Sequence, residues 1–151
     1  MLGQATDDSC VPACVRMLLL DNFPEKAGDY LFSESFLRMD FETEREGSVI
    51  TRIPEVLRQR GLTRPYLYQT DLAVDDLRGS LARGFAIAIV RTLLPREAHA
   101  VIVEELTDDE VAVRDPLPQG KGSAYRIPLT EFLHFWLSAE TQCGSAVVVV
   151  T

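Results

Sequence analysis

Residues 4–20 read QATDDSCVPACVRMLLL, and this stretch decides the fold. Ser9 or Asp8 can cap a helix here, and Pro12 falls in the first turn, where a missing N–H costs nothing. Apolar residues then recur at helical spacing, so we predict a buried helix whose first turn carries Cys10. The free N–H groups and the positive end of a helix dipole favour the thiolate form of a thiol placed there.

Gln4 lies upstream of Cys10 and carries a neutral amide donor that could point at the same spot. A nucleophile and an oxyanion donor on one short segment form the arrangement of a cysteine hydrolase. The alternative for Cys10 is an inert small hydrophobe, which is the commoner role of a cysteine on an apolar helix. The rest of the chain must therefore supply a base.

The length and composition are those of an ordinary globular domain. The 151 residues, 46% hydrophobic and 25% charged, suffice for one domain with a sizeable core. We therefore predict a single domain over residues 1–151, excised from a larger protein. No apolar run approaches the ~20 residues of a membrane helix, and the first residues do not form a signal peptide.

Charge and cysteine content limit the partners and cofactors. The formal net charge is −8 at pH 7 and there is no basic run, which argues against nucleic acid and anionic membranes and is compatible with a basic protein partner. Three cysteines, an odd number, do not make a disulfide framework. No histidine or third cysteine has metal-ligand spacing around Cys10 and Cys14. We expect no zinc, no other cofactor and a reducing compartment.

The first half of the chain is predicted to be mostly helical and the second half mostly strands. After the first helix the segments are a break at 21–24, helical pieces over 25–39, a charged loop at 42–46, a helix from Gly47 to Gly61, a short strand at 64–68 and a helix over 71–83. Then come a central strand at 85–90, a loop at 93–97, strands at 98–106 and 111–115 around a turn at 107–110, a loop at 116–122, a short strand at 125–127, a helix over 129–137 and a strand from 144 to 151. Helices followed by a mostly antiparallel sheet predict an α+β fold.

Two histidines could serve as the base, His99 and His134. His134 lies in an amphipathic helix, and we interpret it as a helix-surface or packing residue. His99 begins a strand at the mouth of a loop and shares one strand face with Val101 and Val103. His99 is therefore the better candidate.

The position of Asp115 relative to His99 depends on the turn between their strands. Asp115 shares a strand face with two valines, so the two residues lie side by side if both valine faces belong to the same core face. That alignment requires an odd-length turn, such as residues 107–109, and the apolar pattern favours it. A two-residue loop would put Asp115 opposite Ile102, on the other face from His99.

A carboxylate beside an imidazole fixes its tautomer and stabilises the imidazolium, which can hold a thiolate as an ion pair. Cys10, His99 and Asp115 thus make a candidate triad, with Gln4 as the oxyanion donor. Taken singly, Asp115 could merely end a strand and His99 could be a satisfied surface histidine. Together, in this order, the four residues favour catalysis.

The pattern resembles the papain-like cysteine peptidases. The residues that carry the resemblance are Gln4 with Cys10 after it, His99 heading a strand, and Asp115 followed by Pro116. The nearest branch is the bacteriocin-processing, double-glycine leader peptidase domain fused to some bacterial ABC transporters, which residues 47–50, 60–62 and 129–136 also match. The resemblance spans nearly the whole chain and implies a papain-like fold, with the cysteine helix packed on a C-terminal antiparallel sheet.

The resemblance also implies residue roles: Cys10 as nucleophile, His99 as general base and acid, Asp115 as its orienter and Gln4 as oxyanion donor. The family typically cleaves after a Gly-Gly pair, which implies a narrow cleft for small side chains. Val11 stands where the family usually has glycine, and residues 21–46 match less closely. Similar domains occur as toxin modules of secreted bacterial effectors, and a compact acidic module fits that setting better.

We therefore predict a papain-like cysteine endopeptidase, a bacterial toxin or effector module that cuts a protein target in the cytoplasm of a target cell. Its partners would be a protein or peptide substrate and a cognate immunity protein. One alternative is a bacteriocin leader peptidase. Another is a glutamine deamidase or transglutaminase, because the same triad attacks a side-chain amide. A third is an inactive papain-fold module that binds a peptide in the old cleft.

Overall fold

The computed structural model describes residues 10–41, 52–62, 66–82, 84–91, 98–118, 120–137 and 144–150. These residues belong to two compact units. The first unit contains residues 1–63 and 115–123, and the second contains residues 64–114 and 124–151. None of the helices in the described ranges is long and apolar enough to cross a membrane.

The first unit is built around helix α1, Cys10–Asn22. Eight of its thirteen residues are buried: Val11, Pro12, Ala13, Cys14, Val15, Met17, Leu18 and Leu19. A helix that is apolar on nearly every side must be enclosed by other elements, and short helices of the same unit pack on it. The charged Arg16 is accommodated because its Nε donates a hydrogen bond to the Phe32 carbonyl at 3.1 Å. The predicted buried helix beginning at Cys10 is confirmed.

The segment after α1 is helical in pieces, as predicted. It contains two short 3₁₀ helices, Pro24–Lys26 and Tyr30–Phe32, and helix α2, Glu34–Asp40. Side chains cap two of these pieces: Asp29 Oδ1 accepts the Leu31 N–H at 2.9 Å, and Ser33 Oγ accepts the Phe36 N–H at 3.2 Å.

Helix α3, Ile53–Gln59, is held to this region by Arg60. The Arg60 side chain is 6% exposed and pairs with Asp40. Its Nε donates to the Leu31 carbonyl at 2.8 Å, and its guanidinium lies 5.5 Å from the centre of the Phe36 ring. Gly61, at φ 95°, follows the helix as its predicted stop. The predicted charged loop at 42–46 and the helix opening at Gly47 lie outside the described residues.

The second unit contains a six-stranded sheet. Its strands are β1 (Tyr66–Leu72), β2 (Gly84–Arg91), β3 (Ala98–Leu106), β4 (Glu110–Asp115), β5 (Ser123–Pro128) and β6 (Gly144–Val150). The order across the sheet is β1-β6-β2-β3-β4-β5, and the pairs β1–β6, β6–β2, β2–β3 and β3–β4 are antiparallel. The predicted central strand is confirmed, since β2 has a neighbour on both sides and Ala86, Ile87 and Ala88 are fully buried.

Two helices, α4 (Val74–Leu81) and α5 (Leu129–Trp136), contribute to the apolar core of this unit. The core contains Leu77 of α4, Phe132 and Trp136 of α5, and sheet residues such as Val101, Val103, Val111 and Val113. Helix α5 forms where the amphipathic pattern predicts it.

The predicted helix over residues 71–83 is wrong at its beginning. Asp71 and Leu72 end strand β1, and α4 starts at Val74. The capping carboxylate belongs to Asp76, which accepts the Ala73 N–H at 3.0 Å. Pairing of Leu72 with Gly144 of β6 extends the strand past the residue that the local pattern indicates as a cap.

The turn between β3 and β4 also differs from the prediction. The Thr107 N–H donates to the Glu110 carbonyl at 2.9 Å, which closes a two-residue loop rather than an odd-length turn. Leu106 pairs with Val111, and Glu105 with Ala112, but the register then shifts so that Val103 pairs with Val113. Glu104 is the extra residue of a β-bulge, which restores the predicted alignment of the two valine faces.

The Glu104-Glu105 pair is the sequence signal of this bulge. Both residues are exposed, between the buried Val103 and Leu106, so the alternation breaks there. Arginines of neighbouring strands pair with the carboxylates: Arg114 Nε lies 2.7 Å from Glu104 Oε1, and Arg126 lies 3.1 Å from Glu105 and 3.0 Å from Glu110. The hydrogen bond to Glu110 and, to a smaller extent, the one to Glu105 raise the pKa of Arg126 above its ordinary value.

We expect deletion of Glu104 to be tolerated within about 1 kcal/mol, because an exposed residue and a partly exposed ion pair are lost while Val103 still faces Val113. Deletion of the exposed Asp108 is the matched control. It shortens the two-residue loop, so the pairing must slip and turn buried valines outward, at a cost of about 3 kcal/mol or more. Guanidinium unfolding of both variants would check this, and equal losses would contradict it.

We expect Gly144→Ala to destabilise the protein by about 1–3 kcal/mol, the usual cost of overpacking. A Cβ at Gly144 would lie closer than 3.0 Å to three atoms of the Trp136 indole. That ring is 3% exposed and stacks on Phe132 at 5.7 Å, so it has no room to move. The control is Gly79→Ala in α4, where a Cβ meets nothing within 4 Å and should add about 0.5–1 kcal/mol of stability. Urea unfolding curves measure both, and an unchanged midpoint for Gly144→Ala would count against the close packing.

Candidate active site

The candidate nucleophile occupies the predicted position. Cys10 is the first residue of α1 and is half-buried, whereas Cys14, one turn later, is fully buried. Neither forms a disulfide. A thiol in the first turn of a long buried helix is held by the helix backbone, and Cys10 as a residue is partly exposed. The proposed oxyanion donor Gln4 and the predicted caps Asp8 and Ser9 lie outside the described residues, as does Cys143.

The candidate base lies on the sheet. His99 is the second residue of β3 and pairs with Val90 of β2. It is only 8% exposed, so it is not the surface histidine that the alternative supposed. A buried imidazole is stable only when its nitrogens are hydrogen-bonded, which fixes the ring and the position of its protons. His134 is exposed on α5 with its ring edge-on to Phe135 at 5.3 Å, as expected of a helix-surface residue.

Alternation along the strands gives the faces of His99 and Asp115. His99 is on the face of Val101 and Val103, and Asp115 is on the face of Val113. Because Val103 pairs with Val113, these are the same face of the sheet. The strand faces expected for His99 and Asp115 therefore agree with the pairing of β3 and β4. The bulge at Glu104 produces this pairing, and not the odd-length turn that was expected.

The Asp115 carboxylate is tied to the loop that follows β4. Its Oδ1 accepts the N–H of Leu117 at 2.9 Å, which makes an Asx turn. This contact fixes one oxygen of the carboxylate and therefore the orientation of the group. Sequence analysis did not identify the turn, although an aspartate directly before proline is its usual signal.

Thiol, imidazole and carboxylate are the groups of a nucleophilic hydrolase, and the same three groups can also bind a metal ion. Within the described ranges, no three cysteine, histidine or acidic side chains cluster as metal ligands.

No protein-family model matches this chain, and no curated protein matches it. Solved structures do match. The peptidase domain of Streptococcus ComA, a bifunctional ABC transporter involved in a quorum sensing pathway, is 18% identical with a TM-score of 0.69, over 99% of this chain and 96% of its own. A double-glycine motif protease from an AMS/PCAT transporter, solved in complex with the leader peptide, is 18% identical with a TM-score of 0.67. The match covers 100% of this chain and 91% of that one. The peptidase domain of Streptococcus mutans ComA is 17% identical with a TM-score of 0.62, and the match covers 100% of this chain and 98% of that one.

These structures agree with the prediction in fold class and in extent along the chain. At 17–18% identity they establish the architecture alone. A fold can be preserved with different core residues when the apolar pattern and the core volume are kept. The chain has the papain-like α+β fold of the ComA and PCAT peptidase domains.

Proposed function

We propose that this chain is a cysteine endopeptidase in which Cys10, His99 and Asp115 form the catalytic triad and Gln4 donates to the oxyanion. The observation that carries the proposal is the half-buried thiol in the first turn of a buried helix, in a chain with the fold of peptidase domains. The buried His99 and the fixed carboxylate of Asp115 support the other two roles.

The reaction would proceed through an acyl-enzyme. The Cys10 thiolate attacks the scissile carbonyl carbon, and the Gln4 amide stabilises the negative charge that develops on the carbonyl oxygen. The His99 imidazolium gives its proton to the leaving amine, which breaks the peptide bond. His99 then takes a proton from water, the water oxygen attacks the thioester, and Cys10 is released. Asp115 keeps the imidazole in the required tautomer and stabilises its protonated form.

Iodoacetamide labelling against pH tests the triad without a known substrate. We expect Cys10 to label rapidly well below pH 8, about tenfold or more faster than a free cysteine, which is largely a thiol there. His99→Ala should remove this advantage, and Cys10→Ala should remove the labelled site. The matched controls are His134→Ala and Cys14→Ala, which should leave the rate unchanged. An ordinary thiol profile, or rapid labelling at Cys14 or Cys143 instead, would be incompatible with the triad.

We further propose that the substrate is a protein or peptide with a Gly-Gly-like cleavage site. The support is one of the matched structures, a double-glycine motif protease in complex with a leader peptide. We expect the purified chain to cut a Gly-Gly peptide about 10²-fold or more faster than the same peptide with leucine at both positions, because a narrow cleft excludes larger side chains. Mass spectrometry of the products measures the ratio. Equal cleavage would reject the narrow cleft, and a +1 Da product with an intact backbone would indicate a deamidase.

The biological setting has two candidates. A toxin or effector module that cuts a protein in the cytoplasm of a target cell, with a cognate immunity protein, is supported by the acidic character of the chain, with a net charge of −8. A bacteriocin leader peptidase is favoured by the transporter origin of two of the matched domains. Expression in a bacterial cytoplasm separates them, since growth arrest that Cys10→Ala abolishes supports the toxin. Harmless expression with cleavage of a double-glycine precursor supports the leader peptidase.

A further inference from the structure

The backbone of Leu117 is hydrogen-bonded at both ends within the loop that follows Asp115. Its N–H donates to Asp115 Oδ1 at 2.9 Å, and its carbonyl accepts the hydroxyl of Ser123 at 2.6 Å. Ser123 is the first residue of β5, and it belongs to the same compact unit as Asp115 and Leu117. One residue thus connects the Ser123 hydroxyl to the Asp115 carboxylate.

The Ser123 hydroxyl is not needed to close this loop. The N–H groups of Gly122 and Lys121 donate to the Pro118 carbonyl at 2.8 and 3.2 Å, so backbone bonds already form the turn. Gly122, at φ 65°, adopts the left-handed conformation that the turn requires. The hydroxyl instead binds the carbonyl of the residue whose own N–H holds Asp115.

We propose that Ser123 is a positioning residue for the triad, acting through Leu117 on the Asp115 carboxylate. Rotation of a carboxylate about its last side-chain bond is soft, so the N–H that Oδ1 accepts sets the plane of the group. Ser123 fixes the direction of that N–H, and hence the direction in which the carboxylate presents its second oxygen. This inference rests on the proposed function, in which Asp115 orients His99.

A double-mutant cycle on Cys10 labelling at pH 6.5 tests the inference. We expect Ser123→Ala to slow iodoacetamide labelling about fivefold, the effect of one net hydrogen bond, and Asp115→Ala to slow it more. In the Asp115→Ala background, Ser123→Ala should have no further effect, because the group it positions is absent. Ser123→Thr keeps the hydroxyl and suits a strand position, so it should label at the wild-type rate.

The matched control is Ser80→Ala, which removes a comparable bond from a serine hydroxyl to the Asp76 carbonyl at 2.9 Å, and should leave labelling unchanged. Independent slowing by Ser123→Ala and Asp115→Ala, a wild-type rate for Ser123→Ala, or slow labelling of Ser123→Thr would each overturn the positioning role. If wild-type labelling does not depend on His99, the proposed function fails first. That result is recognisable because His99→Ala then labels like wild type.

Discussion

The alternation of side chains along β3 and β4 is the constraint on which the sheet unit depends. Val103 and Val113 both belong to the core that α4 and α5 complete. Because the loop between β3 and β4 has two residues, this pairing requires one extra residue in one of the two strands. Glu104 supplies that residue, and its exposed position and its pairing with Arg114 let it leave the ladder without burying a charge. One bulge therefore brings the apolar faces of β3 and β4 into the same core, while His99 keeps the face of Val101 and Val103 through its unbroken pairing with β2.

The elements that the sequence predicts well are those whose signal is local. Helix α1 is apolar nearly all round, β2 is a continuous apolar run, and the helical pieces after α1 carry their own caps at Asp29 and Ser33. The errors occur where pairing with another strand decides. The end of β1 at Leu72 depends on pairing with Gly144, which is far away in sequence, and the bulge depends on the register of β3 against β4. Neither pairing follows from the periodicity of one strand alone.

The candidate site divides in the same way. Cys10 could be placed from its own neighbours, because residue types that favour a cap, a proline in the first turn and an apolar repeat all lie within one segment. The burial of His99 and the Asx turn at Asp115 depend on the assembled sheet and loop, and periodicity does not give them. The match to peptidase domains at 18% identity establishes the architecture, whereas chemistry depends on a few side chains. The fold and the candidate site residues are therefore two separate supports for the proposed activity.

The position of β6 has a consequence for biosynthesis. This strand lies between β1 and β2, yet it is made last of the three. Until it leaves the ribosome, β1 lacks the strand with which it pairs, and β2, an apolar strand, has one unpaired edge. The nascent sheet therefore cannot close progressively from one end, and the chain must remain unaggregated with these edges open until β6 is available.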